Sequence, residues 1–150
     1  MYQKFLLWCK VLLKNQNGKY LQLWTKRSHE RVDMMLDTMR WSLPWWRIEE
    51  WEDMESATVR ELKEETWLDV SKDSLKFLWT IQTTIQLDMN KPWTVWKYGL
   101  FLNWYECLLQ IDTTIIPSDE HESHRWVDKN VVRKEILKVA QYSNSLSFIY

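Results

Sequence analysis

Apolar and polar residues alternate near the start of the chain. From residue 5 to residue 13 every second side chain is apolar, and a second run of strand-forming residues spans 19–25. A period of two is typical of a strand that buries one face. The polar segment between the runs contains Gly18, a residue suited to tight turns. The pattern predicts a β-hairpin with Gly18 in its turn.

Two later segments also have the residues that strands favour. Residues 75–87 are rich in Thr, Ile and Gln, and residues 93–110 are apolar on both faces, as expected for a central strand. Residues 88–92 form the predicted loop between them. We therefore predict two long strands in this half of the chain.

Helical spacing appears in two segments, 54–66 and 129–142. The second follows Asp128, a residue suited to the N-cap position, and its predicted apolar stripe consists of Val132, Ile136, Val139 and Ala140. Strands are thus interleaved with two helices. Because the chain has no repeat and no Pro/Gly-rich linker, we predict one domain over residues 1–150.

Length and charge narrow the class of protein. The chain has 150 residues, 45% of them hydrophobic, with 20 basic and 21 acidic side chains. This composition is typical of a folded domain and argues against a disordered chain or a coat for nucleic acid. Two cysteines without CxxC spacing favour a reducing compartment, and no apolar stretch reaches 18 residues. We expect a cytoplasmic protein without a nucleic-acid or membrane partner.

Glycine and tryptophan depart from ordinary usage in opposite directions. The chain has 2 glycines and 12 tryptophans, whereas average usage would give about ten glycines in a chain of this length. The composition indicates that glycine has been exchanged for tryptophan in this chain.

Three carboxylates share one face of the first predicted helix. Glu61, Glu64 and Glu65 stand at i, i+3 and i+4, so that their side chains project together. Like charges at this spacing destabilise a helix by a few tenths of a kcal/mol per pair unless solvent screens them or a cation neutralises them. Oxygen ligands in this number suit Mg²⁺ or Mn²⁺. A solvated acidic face is the alternative interpretation of the spacing alone.

The acids belong to a longer frame. Its specified residues follow the order Trp46-x5-Glu52-x7-Arg60-Glu61-Leu62-x-Glu64-Glu65-x-Trp67-Leu68. This frame resembles the Nudix box of the Nudix hydrolases, G-x5-E-x7-R-E-U-x-E-E-x-G-U, where U is a bulky aliphatic residue. Both glycines of the pattern are tryptophan here, and the other specified positions agree. A later phrase that contains Glu120, His121, Arg125, Trp126 and Val127 is similar to E-H-x-x-x-R-W-V, which many members have.

The resemblance implies an α+β fold, an α/β/α sandwich with a mixed β-sheet. It also implies hydrolysis of a nucleoside diphosphate linked to another moiety, such as a nucleoside triphosphate or nucleotide sugar, by attack of water at phosphorus. Mg²⁺ is the implied cofactor and Mn²⁺ a substitute; the partner is a small nucleotide, and a homodimer stays open. The implied metal ligands are Glu61, Glu64, Glu65 and Glu120, the catalytic residues are Glu61, Glu64, Glu120 and Arg60, and the structural positions of the box are Glu52, Trp46 and Trp67.

Tryptophan at the glycine positions opens alternatives. Residues 41–52 are similar to the family phrase W-x-L-P-G-G-x-x-E-x-G-E, so that Trp45, Trp46 and Trp51, like Trp67 of the box, stand where the family has glycine. A left-handed conformation costs a non-glycine residue roughly 1–2 kcal/mol. Deliberate substitution, an error in the sequence, and divergence with loss of catalysis would each produce this pattern. The rival functions are a catalytically silent nucleotide-binding or scaffold domain and a Trp-rich surface for protein or membrane contact.

Two further groups have weaker chemical signals. His121 and His124 stand at i, i+3 without a third soft ligand nearby, so a zinc site is disfavoured. Aromatic side chains more often belong to the core, although three of them could flank a nucleobase: Trp24, Trp93 and Trp96.

Overall fold

Two helices and seven strands follow one another in the parts of the chain that the structure describes. The computed structural model describes residues 5–25, 41–88, 95–110 and 114–140. In order, the elements are β1 (Phe5–Lys14), β2 (Tyr20–Thr25), β3 (Trp41–Ser42), β4 (Trp45–Arg47), α1 (Met54–Thr66), a 3-10 helix (Lys72–Ser74), β5 (Leu75–Asp88), β6 (Val95–Leu108), β7 (His121–Val127) and α2 (Lys129–Ala140).

The strands form one mixed sheet. Along its main path the order is β3-β2-β1-β6-β5, with β4 paired to β1 and β7 paired to β2. The pairing of β1 with β6 is parallel, whereas the other pairs are antiparallel. Because β6 has a neighbour on each side, the prediction of a central strand in residues 93–110 is confirmed.

The first hairpin forms as its alternating pattern predicts. Lys14 of β1 pairs with Tyr20 of β2, and the turn between them has Gly18 at φ 76°. Only glycine adopts this left-handed conformation at little cost. The N–H of Gly18 donates to the Asn15 carbonyl at 3.0 Å, which closes the turn.

Each face of the sheet carries its own apolar core. On one face, Leu62 of α1 packs with alternate residues of β1 such as Val11. On the other face, Val132 and Ile136 of α2 pack with the intervening residues of β1, such as Trp8. A sheet covered by a helix on both sides is an α/β/α sandwich, so the predicted fold class is confirmed.

Both predicted helices form. α1 has the predicted bounds, Met54–Thr66. α2 begins at the predicted Lys129, and the predicted extension to 142 lies outside the described residues. Asp128 occupies the position before α2, where its carbonyl accepts the Val132 N–H, while its side chain accepts a hydrogen bond from Lys19 Nζ.

Three strands had no pattern that predicted them. β3 and β4 have two and three residues, too few for a period to be visible. β7 is mostly polar, and its backbone pairs with β2 from Tyr20 to Thr25. The predicted loop 88–92 lies outside the described residues after Asp88, and the same holds for Trp93 and for the side chain of Trp96.

A buried ion pair joins α2 to the sheet. Lys10 Nζ donates to Glu135 Oε1 at 2.7 Å, and both side chains are almost fully buried, with 2% and 4% exposed. The same carboxylate accepts hydrogen bonds from Gln22 Nε2 at 3.0 Å and from the Leu43 N–H. Glu135 therefore connects α2 to β1, to β2 and to the segment that leads into the acidic frame.

The pair predicts an asymmetric response to substitution. Glu135→Leu leaves the Lys10 cation buried without a partner, so we expect the free energy of unfolding to fall by roughly 3–5 kcal/mol. Adding Lys10→Met removes that cation, and the double variant should be more stable than the single one. Urea unfolding measures both. A loss below about 1 kcal/mol in Glu135→Leu would show that the pair contributes no more than a surface bridge.

Candidate functional site

The helix of the acidic frame begins at a well-defined cap. Asp53 precedes α1 with extended backbone angles, and its carboxylate accepts the Ser56 N–H at 2.8 Å. Its other oxygen accepts the Ser56 hydroxyl at 2.7 Å, and Lys72 Nζ lies 3.2 Å away. These hydrogen bonds, led by those from Ser56, lower the pKa of Asp53 to about 2. The carboxylate thus stays ionised and fixes the start of α1.

Arg60 gathers three glutamates of the frame. Its Nε and Nη2 donate to the two oxygens of Glu52 at 2.6 and 2.8 Å, a bidentate pair. Its Nη1 donates to Glu61 at 2.8 Å and to Glu64 at 3.3 Å. Arg60 thereby ties the loop before α1 to the acidic face of the helix.

Two hydrogen-bond partners of Arg60, Glu52 and Glu61, have pKa values that are shifted in opposite directions. The hydrogen bond from Arg60 lowers the pKa of Glu52. The pKa of Glu61 is raised, because burial outweighs the hydrogen bond from the same guanidinium. Glu61 is therefore poised to hold a proton more readily than Glu52, and a nearby cation would favour its ionised form.

Glu65 is the buried member of the acidic face. It lies three residues after the fully buried Leu62, on the stripe of α1 that faces the sheet, and only 9% of it is exposed. Its Oε2 is buried and has no hydrogen-bond partner in the part of the chain that the structure describes. Burial raises its pKa well above the ordinary value, with further contributions from the charges of Glu61, Glu120 and Glu64. A lone buried carboxylate is costly, so this atom is suited to a cation.

The three helix acids consequently differ in depth. Glu65 is buried, the Glu61 side chain is 20% exposed and the Glu64 side chain is 59% exposed. From their spacing in the sequence alone, the three glutamates would be expected to be equally exposed. Their depths differ because the sheet covers the helix from the Leu62 side, which a linear pattern does not reveal.

The segment that carries Glu120 lies against the end of α1. The N–H groups of Ile116 and Ser118 donate to the carbonyls of Thr66 and Glu65 at 3.2 and 3.0 Å. These are two of the final carbonyls of the helix, which have no partner within it. The segment brings Glu120 close enough for its charge to raise the pKa of Glu65. The backbone bonds from Ile116 and Ser118 thus attach a segment distant in the sequence to the end of α1.

The donor set fits a hard divalent cation. Carboxylate oxygens are the ligands that Mg²⁺ prefers, and Glu65 Oε2 is a buried oxygen without a partner. Within the described ranges, no three acidic, His or Cys side chains already converge closely enough to hold an ion. Since Arg60 contacts both Glu61 and Glu64, their rotation away from it would be part of binding.

Trp67 adopts the left-handed backbone conformation that is usual for a glycine at the end of a helix. It follows the last residue of α1 with φ 59° and ψ 16°, and its N–H donates to the Lys63 carbonyl at 2.8 Å. Among the described residues it is the only non-glycine residue with positive φ. The indole is 68% exposed. Trp67 thus has the strained backbone that was expected at the end of this helix.

The other tryptophans of the frame have different surroundings. Trp46 belongs to β4 and is buried in the core on the α1 side, where its indole N–H has no hydrogen-bond partner among the described residues. Trp45 stacks on Trp8 at a ring distance of 4.5 Å, and Trp51 is 93% exposed. Left-handed strain therefore affects only position 67 among these four.

The two histidines of the late phrase, His121 and His124, both lie in β7. His121 is buried, and its Nδ1 lies 3.1 Å from the Ser118 hydroxyl. Ser118 was not predicted from the sequence; its position just before an acidic turn is the only signal that could have indicated it.

A protein-family model matches most of the chain. The model of the NUDIX domain matches residues 9–146. The chain therefore belongs to the Nudix family, whose members are hydrolases.

Solved structures agree on the fold. The chain is similar to the E. coli dihydroneopterin triphosphate pyrophosphohydrolase, with 18% identity and a TM-score of 0.60 over 94% of this chain and 98% of that one. It is similar to the NUDIX domain of Shewanella oneidensis NrtR complexed with ADP ribose, with 16% identity and a TM-score of 0.61 over 93% and 89%. A MutT/nudix family protein from Enterococcus faecalis has 20% identity and a TM-score of 0.58; the match covers 84% of this chain and 44% of that chain.

Two further findings complete this description. A sequence comparison with curated proteins gives no significant match. Among the described residues, no helix is both long and apolar enough to cross a membrane.

The buried state of Glu65 predicts a pH dependence of stability. Because its pKa is raised in the folded chain, its stabilising contribution is complete below the ordinary pKa of 4.5 and is lost as pH rises through the folded-state pKa. In EDTA, Glu65→Gln should therefore become progressively more stable than the unsubstituted chain from pH 4.5 upward. Urea unfolding over a pH series measures this difference. The exposed Glu64→Gln is the control, and identical profiles for Glu65→Gln and the unsubstituted chain would contradict the expectation.

Position 67 predicts a gain in stability. Trp67→Gly relieves roughly 1–2 kcal/mol of left-handed strain but increases the entropy of the unfolded chain by about 0.4–1 kcal/mol. We expect the melting temperature to rise by roughly 1–4 °C. Trp67→Ala removes the indole and keeps most of the strain, so it should not reproduce the gain. Equal melting temperatures for the Gly and Ala variants would contradict this account.

Proposed function

We propose that this protein is a Mg²⁺-dependent diphosphohydrolase that hydrolyses a nucleoside diphosphate linked to another moiety. The observation that carries the proposal is the Glu65 carboxylate: its buried Oε2 has no hydrogen-bond partner among the described residues, and burial and the charges of Glu61, Glu120 and Glu64 raise its pKa. A folded chain keeps such a costly group chiefly where it has a chemical use. Membership of the Nudix family supports the reaction class.

The residues divide the work by depth and by partner. Glu65, Glu61, Glu64 and Glu120 would hold Mg²⁺, which when bound neutralises the diphosphate and lowers the pKa of the attacking water. Glu120 or one of the helix carboxylates accepts the proton of that water. Arg60 orients Glu61 and Glu64, and its bidentate pair with Glu52 keeps the preceding loop in place.

The substrate class follows from chemistry shared by two similar proteins. One is named as a pyrophosphohydrolase of dihydroneopterin triphosphate, and another was solved with ADP ribose. Both compounds contain a diphosphate linked to an organic group. We therefore infer a nucleoside triphosphate or a nucleotide-sugar type of substrate, handled by a cytoplasmic protein without a nucleic-acid or membrane partner; a homodimer is compatible with this reaction.

A catalytically silent nucleotide-binding domain is the second candidate. Trp46 favours it, because its large side chain is buried in the strand that leads into the frame. In the family pattern this position is glycine, which allows a closer approach of the loop. The silent domain predicts nucleotide binding without release of phosphate.

The proposal predicts hydrolysis that depends on Mg²⁺ and on the helix acids. Nucleoside triphosphates, nucleotide sugars and dinucleoside polyphosphates are screened with Mg²⁺ or EDTA, and products are separated by chromatography. We expect Glu65→Gln and Glu64→Gln to lose at least about a hundredfold in rate, since each would remove a metal ligand. Glu50→Gln, in the loop before α1, is the matched control and should keep full activity.

Three results separate the alternatives. Incorporation of ¹⁸O from water into the phosphate product is expected for attack at phosphorus. Equal product in EDTA, or full activity in both glutamine variants, would contradict the metal assignment. Nucleotide binding by calorimetry with no turnover of any screened compound would establish the silent domain instead.

A further inference from the structure

Ser118, which is partly buried, forms hydrogen bonds through its backbone and its side chain. Its N–H donates to the Glu65 carbonyl at 3.0 Å, and its own carbonyl accepts the His121 N–H at 3.0 Å. Its hydroxyl lies 3.1 Å from His121 Nδ1. One residue thus contacts both the helix of the acidic site and the far end of a turn.

That turn contains Glu120. The hydrogen bond from the His121 N–H to the Ser118 carbonyl spans four residues, with Asp119 and Glu120 at the two central positions. The contact between the Ser118 hydroxyl and His121 closes the same turn a second time. Glu120 is exposed, so the turn, rather than side-chain packing, sets its position.

The turn is attached to the backbone of Glu65, and Glu65 is also the residue whose pKa is raised by the charge of Glu120. The backbone of Glu65 accepts the Ser118 N–H, while the charge of Glu120 acts on the Glu65 carboxylate. The neighbouring bond from the Ile116 N–H to the Thr66 carbonyl adds a second attachment, and Ile115 is buried in the core below. The turn therefore cannot shift along α1 without breaking these bonds.

We propose that Ser118 is a positioning residue: its hydroxyl, through its contact with His121, closes the turn that the Ser118 backbone attaches to the last residues of α1, so that the Glu120 carboxylate completes the acidic site. This inference rests on the proposed function, because it assigns Glu120 to the metal site. Ser118 itself contacts no reacting atom. Its hydroxyl acts only through the orientation of Glu120.

The test compares Ser118→Ala in two backgrounds. The Kd for Mn²⁺, measured by calorimetry, and kcat with Mg²⁺ are first compared between the unsubstituted chain and Glu120→Gln. If Glu120→Gln raises the Kd for Mn²⁺, Ser118→Ala should raise that Kd by about tenfold. If Glu120→Gln lowers kcat, Ser118→Ala should lower kcat by about tenfold, as expected for a group that orients a ligand. When Glu120→Gln is already present, Ser118→Ala should add less than about twofold, because there is no carboxylate left to orient.

Two controls separate positioning from general stability. Ser118→Thr keeps the hydroxyl and should restore most of the lost affinity. Ser74→Ala removes a hydroxyl from a comparable turn, where Ser74 donates to the Ser71 carbonyl at 2.6 Å, and should leave both quantities unchanged.

The outcomes distinguish this inference from the proposed function. A Ser118→Ala effect of equal size in both backgrounds, or no effect of Glu120→Gln on either quantity, would overturn the positioning role. Mn²⁺ binding with the expected pattern but without turnover would retain it and overturn the hydrolase. A chain that binds no Mn²⁺ would overturn both.

Discussion

The burial of the Glu65 carboxylate is the constraint from which the site follows. Removing a carboxylate from water without a partner is strongly unfavourable, and the group responds by keeping its proton or by taking up a cation. α1 cannot avoid this burial, because Glu65 shares its stripe with Leu62, which anchors the helix to the sheet. The packing that stabilises the fold therefore also buries the carboxylate that we propose as a metal ligand.

The surrounding charges have graded roles. Arg60 compensates Glu61 and Glu64 but is not a hydrogen-bond partner of Glu65 Oε2. Its bidentate pair with Glu52 holds the guanidinium at the outer side of the helix. Arg60 can thus limit the repulsion between Glu61 and Glu64, while Glu65 Oε2 remains available to a cation.

Much of this architecture was predictable, and the exceptions have physical reasons. The bounds of α1, 54–66, were predicted from helical spacing within one short segment, which is a local signal. β7 was missed because its residues alternate poorly and its stability comes from pairing with β2. The different depths of Glu61 and Glu65 and the contact of Ser118 with α1 depend on how distant segments pack, which spacing in the sequence does not encode. The prediction of one domain over residues 1–150 is not tested by these observations.

The most direct measurement is a crystal structure with Mn²⁺ and a non-hydrolysable nucleoside diphosphate analogue, in which anomalous scattering locates the ion. Our account predicts an ion about 2.1 Å from Glu65 Oε2, with Glu61 or Glu64 turned away from Arg60 toward the ion. An ion bound elsewhere, with Glu65 still buried and without a ligand, would contradict the account.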